Sequence, residues 1–269
     1  MSCEKEFVKK ELAGVKNIII VASGKGGVGK STVAATLAAS LSLQGFSTGL
    51  LDADIYGPSI PMLFDIQHCQ PAVIEEAGNT KIEPIIRLGI KLMSIGLFID
   101  PAKAAIWRGP LAASGMKQMI DQTEWENLDY LIIDTPPGTG DIHISLLQEY
   151  KIGGVIVVTT PQMLSTSDVQ KAISLYTDNN VGVPVLGVIE NMSWFTPKNH
   201  PGDKYFLFGK GGGEALAKRF NVELLAQLPL DETICEECDY GKLKAVMESP
   251  SVKENFTAIT NYINKRLPV

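Results

Sequence analysis

The sequence predicts a single α/β domain in which a mostly parallel, twisted sheet carries helices on both faces. Apolar, strand-like runs alternate with helix-like runs, and the polar motifs directly follow the carboxyl ends of the strands. The chain has 269 residues, 45% of them hydrophobic and 20% charged, which is sufficient and ordinary for one large core. We assign residues 17–269 to this domain and residues 1–16 to a charged lead-in.

Composition excludes several classes of protein. The net charge of −6 counts against a broad nucleic-acid surface. No apolar run approaches the ~20 residues that a membrane-spanning helix needs, and the charged start lacks the apolar core of a signal peptide. Four cysteines are too few for a disulfide framework in a chain of this size. We therefore expect a cytoplasmic protein with no nucleic-acid partner and no stable membrane insertion.

The first predicted strand and helix flank a glycine-rich loop. Residues 17–22 read as a buried strand, and residues 31–43 read as a helix rich in alanine and leucine. Four residues separate Gly24 from Gly29, which Lys30 and a serine follow, and this is the phosphate-loop pattern. The residues that we predict to bind a nucleotide here are Gly24, Lys25, Gly26, Gly27, Val28, Gly29, Lys30, Ser31 and Thr32.

The chemistry of such a loop is the binding of an anion. Backbone N–H groups wrap around the phosphates, and the helix N-terminus adds its partial positive charge. Lys30 would reach the β- and γ-phosphates, and the Ser31 hydroxyl would hold Mg²⁺. A glycine-rich turn without a ligand is the alternative, and the flanking strand and helix count against it.

Lys25 is a second lysine, at a position where an ordinary phosphate loop accepts almost any residue. The run Gly-Lys-Gly-Gly-Val-Gly-Lys-Ser-Thr resembles the deviant Walker A of MinD, ParA, Mrp and nitrogenase-reductase proteins. In that group the early lysine crosses a dimer interface to the partner's phosphates, so the resemblance implies a catalytic Lys25 and a homodimer. Such a cation would act as an arginine finger does. The alternative is a solvated loop lysine.

The second predicted strand, residues 47–51, ends in two carboxylates. Asp52 and Asp54 project from the same side of an extended chain, at the strand end where open α/β sheets bind ligands. We interpret Asp52 as an outer-sphere partner of Mg²⁺ and Asp54 as the residue that orients or deprotonates the attacking water. A helix cap is the alternative for Asp54. A short helix should follow, with Pro58 near its start.

The next stretch carries the sheet edge. Residues 67–79 read as irregular, and residues 81–86 and 90–95 read as an antiparallel hairpin. Residues 101–110 read as a loop, and residues 111–124 read as a helix.

Residues 128–134 form an apolar run that ends in Asp134, which is the Walker B arrangement. We predict that Asp134 helps to hold Mg²⁺. The following residues 135–141 combine stiff prolines with glycine hinges, and we interpret them as a loop that moves when phosphate leaves, named here the second switch loop. Asp141 should cap a helix over residues 142–150.

The next predicted elements are a strand at 153–160, a helix at 165–178 and a strand at 183–190. Asn191 follows the last of these strands. An asparagine there can pair with an adenine edge, and a turn-capping asparagine is the alternative. The nucleotide-binding assignment includes Asn191.

The C-terminal third contains three further signals. Glycines 211–213 precede a predicted helix at 215–220 and make either a second anion site or a mobile connection. Pro229 follows the predicted last strand, 222–228, and we assign it to a flank of the base. Residues 254–267 show a helical apolar stripe, which we expect to pack on the domain rather than on a membrane surface.

Taken together, the motifs resemble the Mrp/ApbC family of iron–sulfur cluster carriers, which are P-loop ATPases similar to MinD and ParA. The resemblance implies a slow, dimer-dependent ATP hydrolase that uses ATP and Mg²⁺. It further implies that two subunits bind a [4Fe–4S] cluster and pass it to apo-proteins. A dimeric switch of the MinD/ParA type without a cluster is the alternative. The segments that carry the resemblance are 24–32, 52–59, 132–141, 190–195 and 208–214.

The chain departs from the family pattern in its cysteines. The family usually carries a Cys-x-x-Cys pair just after the Asn-Met-Ser segment, where residues 196–200 here contain no cysteine. Cys235 and Cys238 form a different pair, and two thiolates from each subunit of a symmetric dimer could bind one cluster. The glutamates between them would raise their pKa values. Two reduced cysteines without a ligand are the alternative, and Cys3 and Cys69 have no assigned role.

Overall fold

A computed structural model describes residues 9–76, 78–98, 110–178 and 181–269. Residues 1–8 of the predicted lead-in, with Cys3, and residues 101–109 of the predicted loop lie outside this part. The described strands are β1 (Val15–Ser23), β2 (Thr48–Asp52), β3 (Val73–Glu76), β4 (Asn79–Ile82), β5 (Ile85–Arg87), β6 (Ile90–Ser94), β7 (Leu128–Asp134), β8 (Gly154–Thr159), β9 (Val185–Glu190) and β10 (Leu224–Gln227). The described α-helices are α1 (Lys30–Leu43), α2 (Ile60–Leu63), α3 (Pro110–Gln122), α4 (Asp141–Glu149), α5 (Met163–Thr177), α6 (Gly212–Phe220), α7 (Glu232–Asp239), α8 (Leu243–Glu248) and α9 (Pro250–Arg266).

The main sheet has eight described strands in the order β10-β9-β8-β1-β7-β2-β6-β5. Every neighbouring pair is parallel except β5 and β6 at one edge. The predicted mostly parallel α/β sheet is therefore confirmed. Because β1 lies between β7 and β8, the loop that follows β1 sits at the centre of the carboxyl edge, where such sheets bind ligands.

Helices cover both faces of this sheet, as predicted. Successive side chains of a strand point to opposite faces, so β1 contributes to two cores. Ile19 and Val21 pack in the core that contains α1 and α9. Ile18 and Ile20 pack in the core that contains α3, α4 and α5. The apolar stripe of α9 is buried through Phe256 and its neighbours, which confirms that this helix packs on the domain.

Four local predictions need correction. Pro84 has no N–H, and the predicted strand at 81–86 is broken there into β4 and β5. β4 pairs with β3 in a separate two-stranded sheet, and β3 lies within the stretch predicted to be irregular. Asp141 is the first residue of α4, and Gly140 occupies the cap position. In α2 the proline in the first turn is Pro61 rather than Pro58.

The glycines before α6 do not leave a free anion site. The buried carboxylate of Glu190 accepts a hydrogen bond from the Gly213 N–H at 2.5 Å, and it also accepts from Ser193 and Gln227, each at 2.8 Å. The N-terminus of α6 therefore already binds an internal anion, which counts against the second anion site as one of the two alternatives for these glycines. Within the described residues, no helix combines the length and the apolar character needed to cross a membrane.

Candidate functional site

The phosphate loop joins the carboxyl end of β1 to α1, as predicted. It lies close to two neighbouring segments, and glycine is required at both points of contact. A Cβ atom on Gly24 would lie 2.4 Å from the backbone of Asp168 in α5. Gly29 has a φ of 82°, in the left-handed region, and a Cβ atom on it would lie 2.2 Å from the side-chain nitrogen of Asn191.

A buried ion pair lies beneath the loop. The Lys30 ammonium is 2.6 Å from Asp134 Oδ1, and the side chains are 6% and 0% exposed. Lys30 also lies 3.3 Å from the Ser31 hydroxyl oxygen. Burial raises the pKa of Asp134, although the hydrogen bonds from Lys30 and Ser31 lower it. The two signature residues of the sequence motifs thus contact each other directly.

The second oxygen of Asp134 can accept a ligand. Among the described residues, this buried Oδ2 atom has no hydrogen-bond partner. A carboxylate and a hydroxyl oxygen are hard ligands of the kind that Mg²⁺ prefers. Asp134 and Ser31 therefore fit the predicted magnesium site.

Asp52 lies behind Asp134, as its register partner in the sheet. One of its oxygens accepts from the Asp54 N–H at 3.1 Å, and the other accepts from the Ile60 N–H and the Ser94 hydroxyl, each at 3.1 Å. Burial, together with the charge of Asp134, raises the pKa of Asp52 to about 8. Since both oxygens already accept hydrogen bonds, Asp52 suits an indirect rather than a direct contact with a metal.

Asp54 points into the cavity beside the loop. The residue is half-buried, and burial raises the pKa of its carboxyl while the Lys30 ammonium lowers it. A carboxylate with a raised pKa at a solvent-accessible position can accept a proton from a bound water.

One cavity of about 530 Å³ connects the predicted site residues. This volume is in the range of ligand-binding pockets, ~300–1,000 Å³. The predicted residues that line it are Lys25, Gly26, Gly27, Gly29, Lys30, Ser31, Thr32, Asp54, Asn191, Pro229, Cys235 and Cys238. The structure thus brings together segments that are separated by more than two hundred residues in the sequence.

Asn191 makes a contact that neither sequence alternative included. Its side-chain N–H donates to the Val28 carbonyl oxygen at 2.9 Å. The amide therefore braces the phosphate loop, and it could read a base only through its oxygen or its second N–H. Pro229 also lines the cavity.

The two cysteines differ in exposure. Both lie on α7, where Cys235 is exposed and Cys238 is buried. Burial raises the pKa of Cys238 to about 11, with smaller contributions from Cys235 and neighbouring carboxylates, while a hydrogen bond from Thr32 opposes the rise. Cys238 is therefore a neutral thiol at pH 7. Among the described residues, no group of three or more metal-ligating side chains comes together within this single chain.

A buried histidine holds the second switch loop and was not identified from the sequence. The Pro136 carbonyl can only accept, so His143 Nε2 donates to it at 2.9 Å. Nδ1 then accepts from the Tyr176 hydroxyl at 2.6 Å. The Gly138 N–H donates to the Ser23 carbonyl at 2.8 Å, which ties the same loop to β1. A histidine in the first turn after a Pro-Gly loop was the available sequence signal.

Comparison with known proteins assigns a family. The chain matches the family described as ParA, NUBPL iron-transfer P-loop NTPase, over residues 14–264.

Curated relatives carry the name iron-sulfur cluster carrier protein. One from Rickettsia conorii is 47% identical over 235 residues, which are 87% of this chain and 66% of the relative. One from Haemophilus influenzae is 48% identical over 228 residues, which are 85% of this chain and 60% of the relative. One from Aquifex aeolicus is 42% identical over 261 residues, which are 96% of this chain and 70% of the relative. The chain thus spans 60% to 70% of the length of these relatives.

Two solved structures are similar. A nucleotide-binding protein from Archaeoglobus fulgidus in complex with ADP has a TM-score of 0.77 and 38% identity, with 91% of this chain and 94% of that chain covered. The cell division ATPase MinD of Pyrococcus furiosus has a TM-score of 0.63 and 21% identity, with 93% and 99% covered. The second likeness shows a shared fold.

The His143 contacts generate a prediction about acid stability. Burial lowers the pKa of His143 from 6.5 to about 4, so the unfolded chain binds a proton in this interval that the folded chain does not. The stability from this group is complete above pH 6.5 and is lost as the pH falls toward 4, by about 3 kcal/mol in total. His143→Gln keeps an N–H donor for Pro136 and does not titrate.

Urea unfolding at several pH values between 4 and 6.5 measures this effect. Asp52 and Asp134 titrate in both proteins, so the difference between wild type and His143→Gln isolates the histidine. We expect the free energy of unfolding to fall more steeply with acid in the wild type. Parallel curves for the two proteins would contradict the assignment.

Proposed function

Because the chain belongs to the ParA family of NUBPL iron-transfer P-loop NTPases, we propose that it binds and hydrolyses ATP in order to carry iron–sulfur clusters to apo-proteins. One observation supports this most directly: the cavity that contains the phosphate loop also contains the Cys235 and Cys238 pair. The names of the curated relatives and the ADP bound to the Archaeoglobus fulgidus protein support the same function.

The nucleotide chemistry follows from the ion pair. Lys30 rests on Asp134 and would turn toward the β- and γ-phosphates when ATP enters. Mg²⁺ held by Asp134 and Ser31 would offset the negative charge of those phosphates. Asp54 would orient the attacking water and accept its proton. Asp52 accepts a hydrogen bond from the Asp54 N–H and would thereby hold the turn that carries Asp54 in place.

Lys25 supports a dimer. Its side chain is exposed at the cavity, and within the described part of the chain its ammonium makes no ion pair. A cation that is free in one subunit is available to the phosphates of another, where it would offset charge in the transition state. We propose a homodimer with slow hydrolysis that depends on this contact.

The cluster would be bound through α7. Two subunits would supply four thiolates from Cys235 and Cys238, and Cys238 would have to become exposed and lose its proton. The burial and the raised pKa of Cys238 favour a second candidate, an ATP-dependent dimeric switch without a cluster.

The two lysines should separate binding from turnover. Lys30→Ala removes at least two charged hydrogen bonds to phosphate, at ~1.5 kcal/mol each, and we expect ATP affinity to fall by about 100-fold. Lys25→Ala should keep ATP affinity and lower turnover by about 1,000-fold, because the in-trans cation acts on the transition state. Calorimetry and phosphate release measure the two quantities.

Lys218→Ala, a surface lysine paired with Glu214 on α6, is the control. Unchanged turnover in Lys25→Ala would favour hydrolysis within one subunit.

Asp54→Asn tests the assignment of the base. The amide keeps the shape of the side chain and cannot accept the proton, so we expect ATP binding to persist while hydrolysis falls by roughly 100- to 10,000-fold. Single-turnover hydrolysis measures the chemical step. Asp65→Asn, at an exposed carboxylate just after α2, is the matched control. Retained hydrolysis in Asp54→Asn would show that another group activates the water.

Anaerobic reconstitution with iron and sulfide tests the cargo. We expect a brown dimer with broad visible charge-transfer absorption, and we expect Cys235→Ala/Cys238→Ala to remain colourless. Cys69→Ala, at a half-buried cysteine beside Arg87, should colour like the wild type. A colourless wild type that still binds ATP would favour the cluster-free switch. Equal colour in the double variant would exclude α7 as the ligand site.

A further inference from the structure

The thiol pair forms part of the wall of the nucleotide cavity. Cys235 and Cys238 line the same continuous cavity as Lys30, Ser31 and Thr32. The two cysteines are three positions apart on α7 and therefore neighbours on the helix surface. A ligand of the phosphate loop and a ligand of the thiols would share one cavity of about 530 Å³.

Thr32 links the two halves of this cavity. It is the last residue of the phosphate-loop motif, it lines the same cavity as Cys238, and its side chain lies near enough to the thiol to lower the pKa of Cys238. Asp231 follows Pro229 closely in the chain and caps α7, because its carboxylate accepts a hydrogen bond from the Thr233 N–H at 2.8 Å. The thiol-bearing helix and the phosphate loop line the same cavity.

The exposure of the two thiols determines which one meets a ligand first. Cys235 is exposed and lines the cavity, whereas Cys238 is buried. The cavity wall between Pro229 and Cys235 is formed by Leu230, Asp231 and Ile234. A nucleotide base that lies along Pro229 would therefore cover the approach to Cys235.

We propose that nucleotide and a soft, thiol-seeking ligand compete for this cavity, so that bound nucleotide shields Cys235 and a soft metal held at Cys235 weakens nucleotide binding. This competition rests on the proposed nucleotide function, and it does not require that the chain binds a cluster. Coupling between two ligands is reciprocal, because each must change the affinity of the other by the same factor. A cluster carrier with this property would release nucleotide when it is loaded.

The first experiment tests whether nucleotide shields Cys235. The rate of alkylation by N-ethylmaleimide is followed by mass spectrometry, with and without saturating ADP and Mg²⁺. We expect ADP to slow alkylation of Cys235 at least tenfold, while Cys69, which does not line the cavity, reacts at the same rate in both conditions. An unchanged or faster reaction of Cys235 in protein that calorimetry shows to be ADP-bound would overturn the proposal. Absence of ADP binding would instead remove the proposed nucleotide function.

The reciprocal arm uses p-hydroxymercuribenzoate, which forms a mercury–sulfur bond as the thiol loses its proton and which dithiothreitol reverses. We expect the Kd for ADP to rise at least tenfold in the treated Cys69→Ser protein and to return after dithiothreitol. In Cys69→Ser/Cys235→Ser, treated and untreated protein should bind ADP equally. Circular dichroism checks that the treated protein stays folded. An unchanged Kd in the folded, modified protein would overturn the proposal.

Discussion

The buried contact between Lys30 and Asp134 organises this molecule. At 2.6 Å and with almost no exposure, neither charge has water to replace its partner. Removing one member of such a pair typically costs ~3–5 kcal/mol, because the other is left buried and uncompensated. The pair also sets the geometry around it. It holds the start of α1 against the end of β7, so the loop between β1 and α1 must close over the carboxyl edge of the sheet.

The charges around this pair do not balance, and the imbalance points to a ligand. Asp52 and Asp134 are neighbours in register and face a single ammonium, that of Lys30. Burial and the charge of Asp134 raise the pKa of Asp52 to about 8. The Oδ2 atom of Asp134 has no hydrogen-bond partner among the described residues. A site with surplus carboxylate beneath a ring of N–H groups can accept a cation below and an anion above. A magnesium nucleotide has this charge arrangement, so the electrostatics of the site and of its proposed ligand are complementary.

The sequence predicted the strands of the parallel sheet and the phosphate loop, because these depend on local pattern and on the short span from β1 to α1. It did not predict the contacts that complete the site. Asn191 and Val28 are 163 positions apart, and His143 and Tyr176 are 33 positions apart. Such contacts depend on how elements pack, which residue spacing does not encode. The same limit applies to Thr32 and Cys238, which belong to two separately identified motifs and line one cavity.

Cys235 and Cys238 lie far along the sequence from the position at which the resembling family carries its pair, but they lie in the same region of the fold. Residues 196–200, where the resembling family places its pair, lie next to the start of α7. Phe195 forms a bridge with Leu230, and Lys198 lies 3.4 Å from Glu232 in the first turn of that helix. A thiol pair that moves from this loop to α7 therefore stays in the same neighbourhood of the fold. It also moves onto the wall of the nucleotide cavity, so a carrier built this way would couple its cargo to its nucleotide by direct exclusion rather than through a distant conformational change.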